Sequence, residues 1–210
     1  MKRCVIVGGA GIKNYSKIKE YIKEDDYFVY CDGGLNHIQG IGHEPNLIIG
    51  DFDSHDKPDT NIETIVLPCE KDDTDTCFAL KECIKRGFDD ITLVGCIGER
   101  FDHTMGNVSL LIMIQERGLT GRIIDDYSEM SLIGGVNGVS ETLIEDKFSY
   151  FSLISLSDTV KGDTIKDAKH PLENAEIKSG FQDGISNEVI EGKTSKVSRR
   201  EGNLLLIKVF

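Results

Sequence analysis

The sequence predicts an α/β N-terminal domain with a mostly parallel sheet over residues 1–126, followed by an all-β C-terminal sandwich over 127–210. Three observations carry this. Short β-branched runs without polar alternation recur through the first half, spaced to leave room for helices, which is the rhythm of β-α-β units with strands buried on both faces. Nearly all of these runs stop at Gly or Asp. Beyond Asp126 the pattern changes to alternating segments divided by glycine turns, as in an antiparallel sandwich.

Taken in order, residues 4–7 form the first apolar run, and Gly8-Gly9-Ala10-Gly11 ends it. Similar runs lie at 27–31, 47–49, 64–67, 91–94 and 122–124. Between them, Ile18, Tyr21 and Ile22, and then Leu80, Cys83 and Ile84, fall at i, i+3, i+4, each predicting a helix with one buried stripe. Lys85-Arg86 before Gly87, and Arg117 before Gly118, place cations at a helix C-terminus and a left-handed residue after it. The segment Met105–Ile114 is apolar on nearly every side and predicts a central, well-buried helix. In the second half, 130–133, 142–144, 150–154 and 204–207 read as strands, with turns at Gly134-Gly135, Asn137-Gly138, Asp183-Gly184 and Glu201-Gly202-Asn203. The linker is expected near Asp125–Glu129.

In an open parallel sheet, ligands bind beyond the carboxyl ends of the strands, so the terminal Gly and Asp residues converge on one crevice. The most informative of them follow Leu47-Ile48-Ile49: Gly50, then Asp51-Phe52-Asp53-Ser54. If the strand continues, Asp51 and Asp53 share a face while Phe52 turns to the core. Two converging carboxylates repel unless a cation lies between them, and hard oxygen donors with an incomplete shell suit Mg²⁺ carrying substrate phosphates. A solvated acidic turn is the plain alternative for Asp-x-Asp alone. Lys71-Asp72-Asp73-Thr74-Asp75 exceeds what a helix cap needs, although capping accounts for one or two of its residues. Arg100 could grip a phosphate bidentately, with Asp102 orienting it or His103; a surface ion pair and a helix cap is the alternative. Gly8–Gly11 is open between a phosphate-approaching loop and a tight turn. Gly192-Lys193-Thr194 imitates a P-loop, but residue 187 is Asn where that motif needs Gly.

Bulk properties narrow the function. A net charge of -12 argues against nucleic acid, which needs a basic footprint, while a divalent cation can supply the charge for a small phosphorylated ligand. Cys4, Cys31, Cys69, Cys77, Cys83 and Cys96 lack Cys-x-x-Cys or Cys/His spacing, so they read as reduced, mostly buried thiols of a cytoplasmic protein. The opening apolar run is too short for a signal peptide, and no stretch approaches the ~20 apolar residues of a membrane span.

In order and spacing, Asp32-Gly33-Gly34, Gly50-Asp51-Phe52-Asp53-Ser54, Lys71-Asp72-x-Thr74-Asp75, Gly98-x-Arg100-x-Asp102-His103 and Gly184-Ile185-Ser186-Asn187-Glu188 resemble the thiamine pyrophosphokinases. The resemblance implies a catalytic α/β domain, a C-terminal sandwich that holds thiamine and makes a homodimer, and conversion of ATP and thiamine to AMP and thiamine diphosphate. On this reading Asp51, Asp53 and Asp72 are catalytic and hold Mg²⁺ with Asp75. Asp32, Gly33, Gly34, Lys71, Thr74, Arg100, Asp102 and His103 hold nucleotide, and Asp75, Ser186 and Asn187 hold thiamine. The family's Gly-x-Lys-Tyr-Pro-Leu segment stands here as Asp167-Ala168-Lys169-His170-Pro171-Leu172, which puts local packing in question. Two other classes fit part of the pattern: an Asp-x-Asp sugar-nucleotide transferase, which leaves ATP untouched, and a non-catalytic thiamine-binding module, which tolerates loss of Asp51.

Overall fold

The computed structural model describes residues 1–52, 58–70, 72–134 and 140–210 and divides into two compact units, Met1–Leu110 with Leu119–Asp126, and Leu111–Gly118 with Tyr127–Phe210.

The first unit carries six strands: β1 Arg3–Val7, β2 Tyr27–Cys31, β3 Leu47–Gly50, β4 Thr64–Val66, β5 Asp90–Val94 and β6 Thr120–Ile124. All of their pairings are parallel, in the order β4-β3-β2-β1-β5-β6. The unalternated sequence of the inner strands has its cause here, since every residue of β3 and β5 is buried and a strand covered on both faces needs no polar face. Their amino ends are tied together electrostatically: Arg3 reaches Asp26 Oδ1 at 2.6 Å and Asp90 Oδ2 at 3.1 Å, and Arg122 reaches Asp90 Oδ1 at 2.9 Å. Strand order reverses at β1, with β2 on one side and β5 on the other, so a crevice opens beyond the carboxyl ends of β1 and β5.

Helix α1, Ser16–Lys19, is shorter than its periodicity predicts. Ile18 is buried, but the chain leaves the helix before Tyr21, because Asp26 captures the amide of Lys23 at 2.8 Å and forms a turn instead. A 3-10 helix, Asp32–His37, leads directly into α2, Ile38–Ile41. Helix α3, Asp75–Lys85, packs on β1, β2 and β3 with Leu80 and Cys83 buried, and it ends before Gly87 at φ +81°. The expectation for Met105–Ile114 needs correction. Helix α4, Phe101–Glu116, is not buried all round: Phe101 is 70% and Met105 50% exposed, and Asp102, Met105, Gly106 and Ser109 form one exposed stripe at i, i+3, i+4, i+7. A nearly all-apolar helix has no strong moment to reveal which side faces water.

The second unit contains β7 Ser128–Ile133, β8 Ser140–Glu145, β9 Tyr150–Ser155, β10 Thr159–Lys166, β11 Leu172–Lys178, β12 Thr194–Arg199 and β13 Leu204–Val209. They form two antiparallel layers, β11-β10-β12-β8 and β7-β13-β9, whose inward residues, among them Ile144, Phe151, Leu153, Val160, Val197 and Leu206, share one core. In β10 the register shifts between Lys161 and Asp163 at Gly162, φ +74°; this bulge turns Asp163 inward after Val160. Gly192, φ +74°, lies in the turn that feeds β12, so the Gly-Lys-Thr triplet is a hairpin feature. Gly135 and Asn137-Gly138 lie outside the described residues.

Candidate functional site

Three carboxylates meet at the carboxyl edge of the first unit. Asp32 follows β2, Asp51 follows β3, and Asp75 opens α3; one oxygen from each lies within 4.8 Å of the others, and all three residues are half-buried. Gly50 permits the approach, since a Cβ there would stand 3.1 Å from Cβ of Asp32. The backbone turns tightly at both strand ends, with φ +25° at Asp32 and +53° at Phe52, a left-handed value that bulky residues adopt at a cost. The strand does not continue through Asp51, since β3 stops at Gly50; Asp53, like Lys71, lies outside the described residues. Asp72 is exposed and takes no part in the cluster, whose third carboxylate is Asp32. Asp73 forms an ion pair with Lys81 at 2.6 Å, and that amine holds its carboxyl below the usual carboxylate range. Thr74 caps α3, its hydroxyl accepting from the amide of Cys77 at 3.2 Å.

The donor set fits a hard divalent cation. Three carboxylate oxygens at this separation repel one another, Oδ1 of Asp32 and of Asp75 are sealed from solvent, and oxygen-only donors suit Mg²⁺ rather than a thiophilic metal.

Beside this cluster, glycines let three loops approach closely. A Cβ on Gly34 would strike the carbonyl oxygen of Val7, one on Gly8 would stand 2.6 Å from the carbonyl oxygen of Gly95, and one on Gly98 would stand 2.8 Å from Cβ of Ala10. Gly8 donates to Val94 at 2.8 Å and Ala10 to Gly95 at 2.9 Å, so two amides of the Gly8–Gly11 turn serve the sheet end itself. Arg100 and Asp102 pair bidentately at 3.0 and 2.6 Å and stand 71% and 64% exposed, with His103 exposed beside them. The guanidinium holds the Asp102 carboxyl well below its ordinary range. Two residues outside the motifs secure this loop. Thr104 Oγ1 accepts from the amide of Gly98 at 3.1 Å, and the Asn107 amide donates to the carbonyl of Cys96 at 2.8 Å. The sequence signal for Asn107 was a lone amide within an apolar helical run.

In the second unit, Ser186 and Asn187 follow a glycine packed directly on β9, where a Cβ on Gly184 would strike the carbonyl oxygen of Leu153. Ser186 is exposed at φ +57°, its amide donating to Ser152 Oγ at 3.0 Å. Asn187 is only 5% exposed, and its side chain clamps the neighbouring loop: Oδ1 accepts from the amides of His170 at 3.0 Å and Glu188 at 2.9 Å, and Nδ2 donates to the carbonyl of His170 at 2.8 Å. Asp167 adopts φ +56°, which is why glycine suits that position, and Lys193 holds its carboxylate at 2.7 Å.

Comparison with known proteins accounts for both units. Residues 18–121 match the family model described as thiamin pyrophosphokinase, catalytic domain, and residues 141–204 the model for its vitamin B1 binding domain. Thiamine pyrophosphokinase of Bacillus subtilis is 28% identical over 214 residues, covering 99% of each chain, and thiamin pyrophosphokinase 1 of Caenorhabditis elegans is 25% identical, covering 98% of this chain and 88% of that one. The crystal structure of the thiamin pyrophosphokinase from Geobacillus thermodenitrificans superposes with a TM-score of 0.82 at 29% identity, covering 99% of this chain and 97% of that one. That of the Bacillus subtilis enzyme superposes with a TM-score of 0.85 at 26% identity over 99% of both chains. With both domain models matched in order and full-length relatives agreeing, the chain belongs to the thiamine pyrophosphokinase family.

Proposed function

We propose that this enzyme, whose family moves the pyrophosphoryl group of ATP to the hydroxyl of thiamine, does so at the carboxyl edge of its first unit, with Asp32, Asp51 and Asp75 holding Mg²⁺. The single observation that carries the reading is the convergence of those three carboxylates from β2, β3 and α3. Bound there, Mg²⁺ would neutralise the charge of the transferring phosphates. The chain's own residues do the positioning. Carboxylates on rigid strand ends fix where the phosphates lie; Gly33 and Gly34 admit them without side-chain obstruction; and Arg100, freed from Asp102, is placed to meet an anion bidentately. Asp53 and Asp72 join the metal-binding and catalytic set in this proposal, Lys71, Thr74, Asp102 and His103 the nucleotide set, and Asp75 and Ser186 contact thiamine. Asn187 supports that contact by fixing the backbone on either side of it.

We further propose a homodimer through the 127–210 domain, supported by the edges at β8 and β11, which pair with no further strand among the described residues, and by exposed Leu143, Tyr150, Phe181 and Ile185. A monomeric mass at micromolar concentration in light scattering would refute it. Cytoplasmic residence is supported by free Cys4, Cys31, Cys83 and Cys96, all buried; burial pushes Cys96 up to about 12, away from the reactive thiolate. No helix among the described residues is long and apolar enough to cross a membrane.

The deciding experiment mixes protein, Mg²⁺, ATP and thiamine and identifies the products. AMP with thiamine diphosphate is expected. ADP with a monophosphate ester would mean ordinary kinase chemistry, and thiamine binding without turnover would mean a binding module.

A further inference from the structure

His37 closes the 3-10 helix that Asp32 opens, and its ring is buried. Nε2 lies 2.9 Å from the carbonyl oxygen of Ala10, and Nδ1 lies 2.8 Å from the hydroxyl of Tyr15. A carbonyl only accepts, so Nε2 carries the proton and donates it; in the neutral ring Nδ1 is left to accept from Tyr15. Burial lowers the pKa of His37 and so favours this neutral form. The Tyr15 ring stands where a side chain at residue 40 would be, since a Cβ on Gly40 would run into it. Ala10 is thus gripped on both sides, by its amide to Gly95 at 2.9 Å and by its carbonyl to His37. The glycines of this turn lie against the 3-10 helix, where a Cβ on Gly9 would stand 3.2 Å from Gly33.

We propose that His37, held by Tyr15, is a positioning residue for the reaction: it sets the separation between the Gly9–Gly11 turn, which packs against Gly33 of the proposed phosphate-admitting segment, and the carboxylate of Asp32. This rests on the reading of the site given above. Neither residue touches substrate; the effect passes through the backbone of Ala10 and through the short helix joining His37 to Asp32.

The test is steady-state kinetics of the full chain with Mg²⁺, ATP and thiamine. His37→Phe, which keeps a ring but neither hydrogen bond, is expected to raise KM for ATP and lower kcat, each on the order of tenfold, with KM for thiamine unchanged. His37→Gln, whose amide still donates to Ala10, is expected to recover most of the loss, and Tyr15→Phe to lose only a few-fold. A His37→Phe protein with wild-type kcat and KM for ATP overturns the inference even if it melts earlier, since that is a purely structural role. If His37→Phe does not fold, Tyr15→Phe and His37→Gln decide, and KM for ATP equal to wild type in Tyr15→Phe overturns it. If the wild type itself makes no AMP, the proposed function fails separately, and equilibrium binding of Mg²⁺-ATP decides the inference. Weaker binding by His37→Phe or Tyr15→Phe than by wild type then supports it; equal binding by both, or none by the wild type, overturns it.

Discussion

Asp51 sits where changing one atom alters two measurable quantities. Asp51→Asn keeps size but removes one of three charges that share a 4.8 Å neighbourhood. On the proposed reading kcat should fall about 10²-fold, as when other preorganised electrostatic groups are removed. Mg²⁺ at a hundredfold excess over its dissociation constant should stabilise the wild type by about 2.7 kcal/mol and the variant much less, as thermal melts with and without Mg²⁺ would show. Equal Mg²⁺ stabilisation of both proteins would remove Asp51 from the metal site. Asp167 tests the backbone instead. At φ +56°, Asp167→Gly relieves strain but loses the exposed pair with Lys193, so stability should change by less than about 0.5 kcal/mol. Asp167→Val places a β-branched side chain in the left-handed region and should cost roughly 1–2 kcal/mol in urea unfolding. The replacement of the family's glycine is thereby explained: Asp is among the residues that tolerate this conformation.

At the level of elements, the loop 167–172 and the segment 184–188 stand or fall together, because one buried amide bonds both. Asn187→Ala strands the amide and the carbonyl of His170 and should cost about 2–3 kcal/mol in urea unfolding, in addition to any rise in KM for thiamine. A variant as stable as wild type would show that the clamp is dispensable. The parallel strands of the first unit were legible in the sequence because burial on both faces leaves an unbroken apolar run, as in Leu47–Gly50. Strands β10, β11 and β12 were not, because Lys161, Glu173, Glu176 and Lys196 point outward and a bulge at Gly162 breaks the alternation. Likewise Asp51 and Asp75 were legible as metal candidates from clustered carboxylates near strand and helix ends. Asp32 was read as a nucleotide contact, because only the spatial adjacency of β2 and β3 brings it against Asp51.

For the molecule as a whole, stability should depend on pH through Asp163, a residue no motif singled out. It is fully buried in β10, neither carboxylate oxygen has a hydrogen-bond partner among the described residues, and burial pushes its carboxyl up to about 6 against the pull of buried Arg199. The folded state therefore holds this proton more tightly than the unfolded chain. The stabilisation is complete below the ordinary value of 3.8 and is lost as pH rises through about 6. Asp163→Asn, which stays neutral, should be about as stable as wild type near pH 4 and more stable above pH 7, by on the order of 1–3 kcal/mol. Urea unfolding at both pH values tests this; a variant less stable at pH 7.5 would show that the ionised pair with Arg199 outweighs the burial of its charge. The division into units has a further consequence, for synthesis. Leu111–Gly118 clusters with the second unit yet is made before Leu119–Asp126 of the first, so the two units are interleaved along the chain. When residue 126 leaves the ribosome, every segment of the first unit has been made, while the last turns of α4, with Leu111 and Ile114 destined for burial, still await residues 127–210. A 1–126 fragment should therefore bind a hydrophobic dye that the full chain does not, and a nascent chain stalled at that length would be the point at which a chaperone has most to hold.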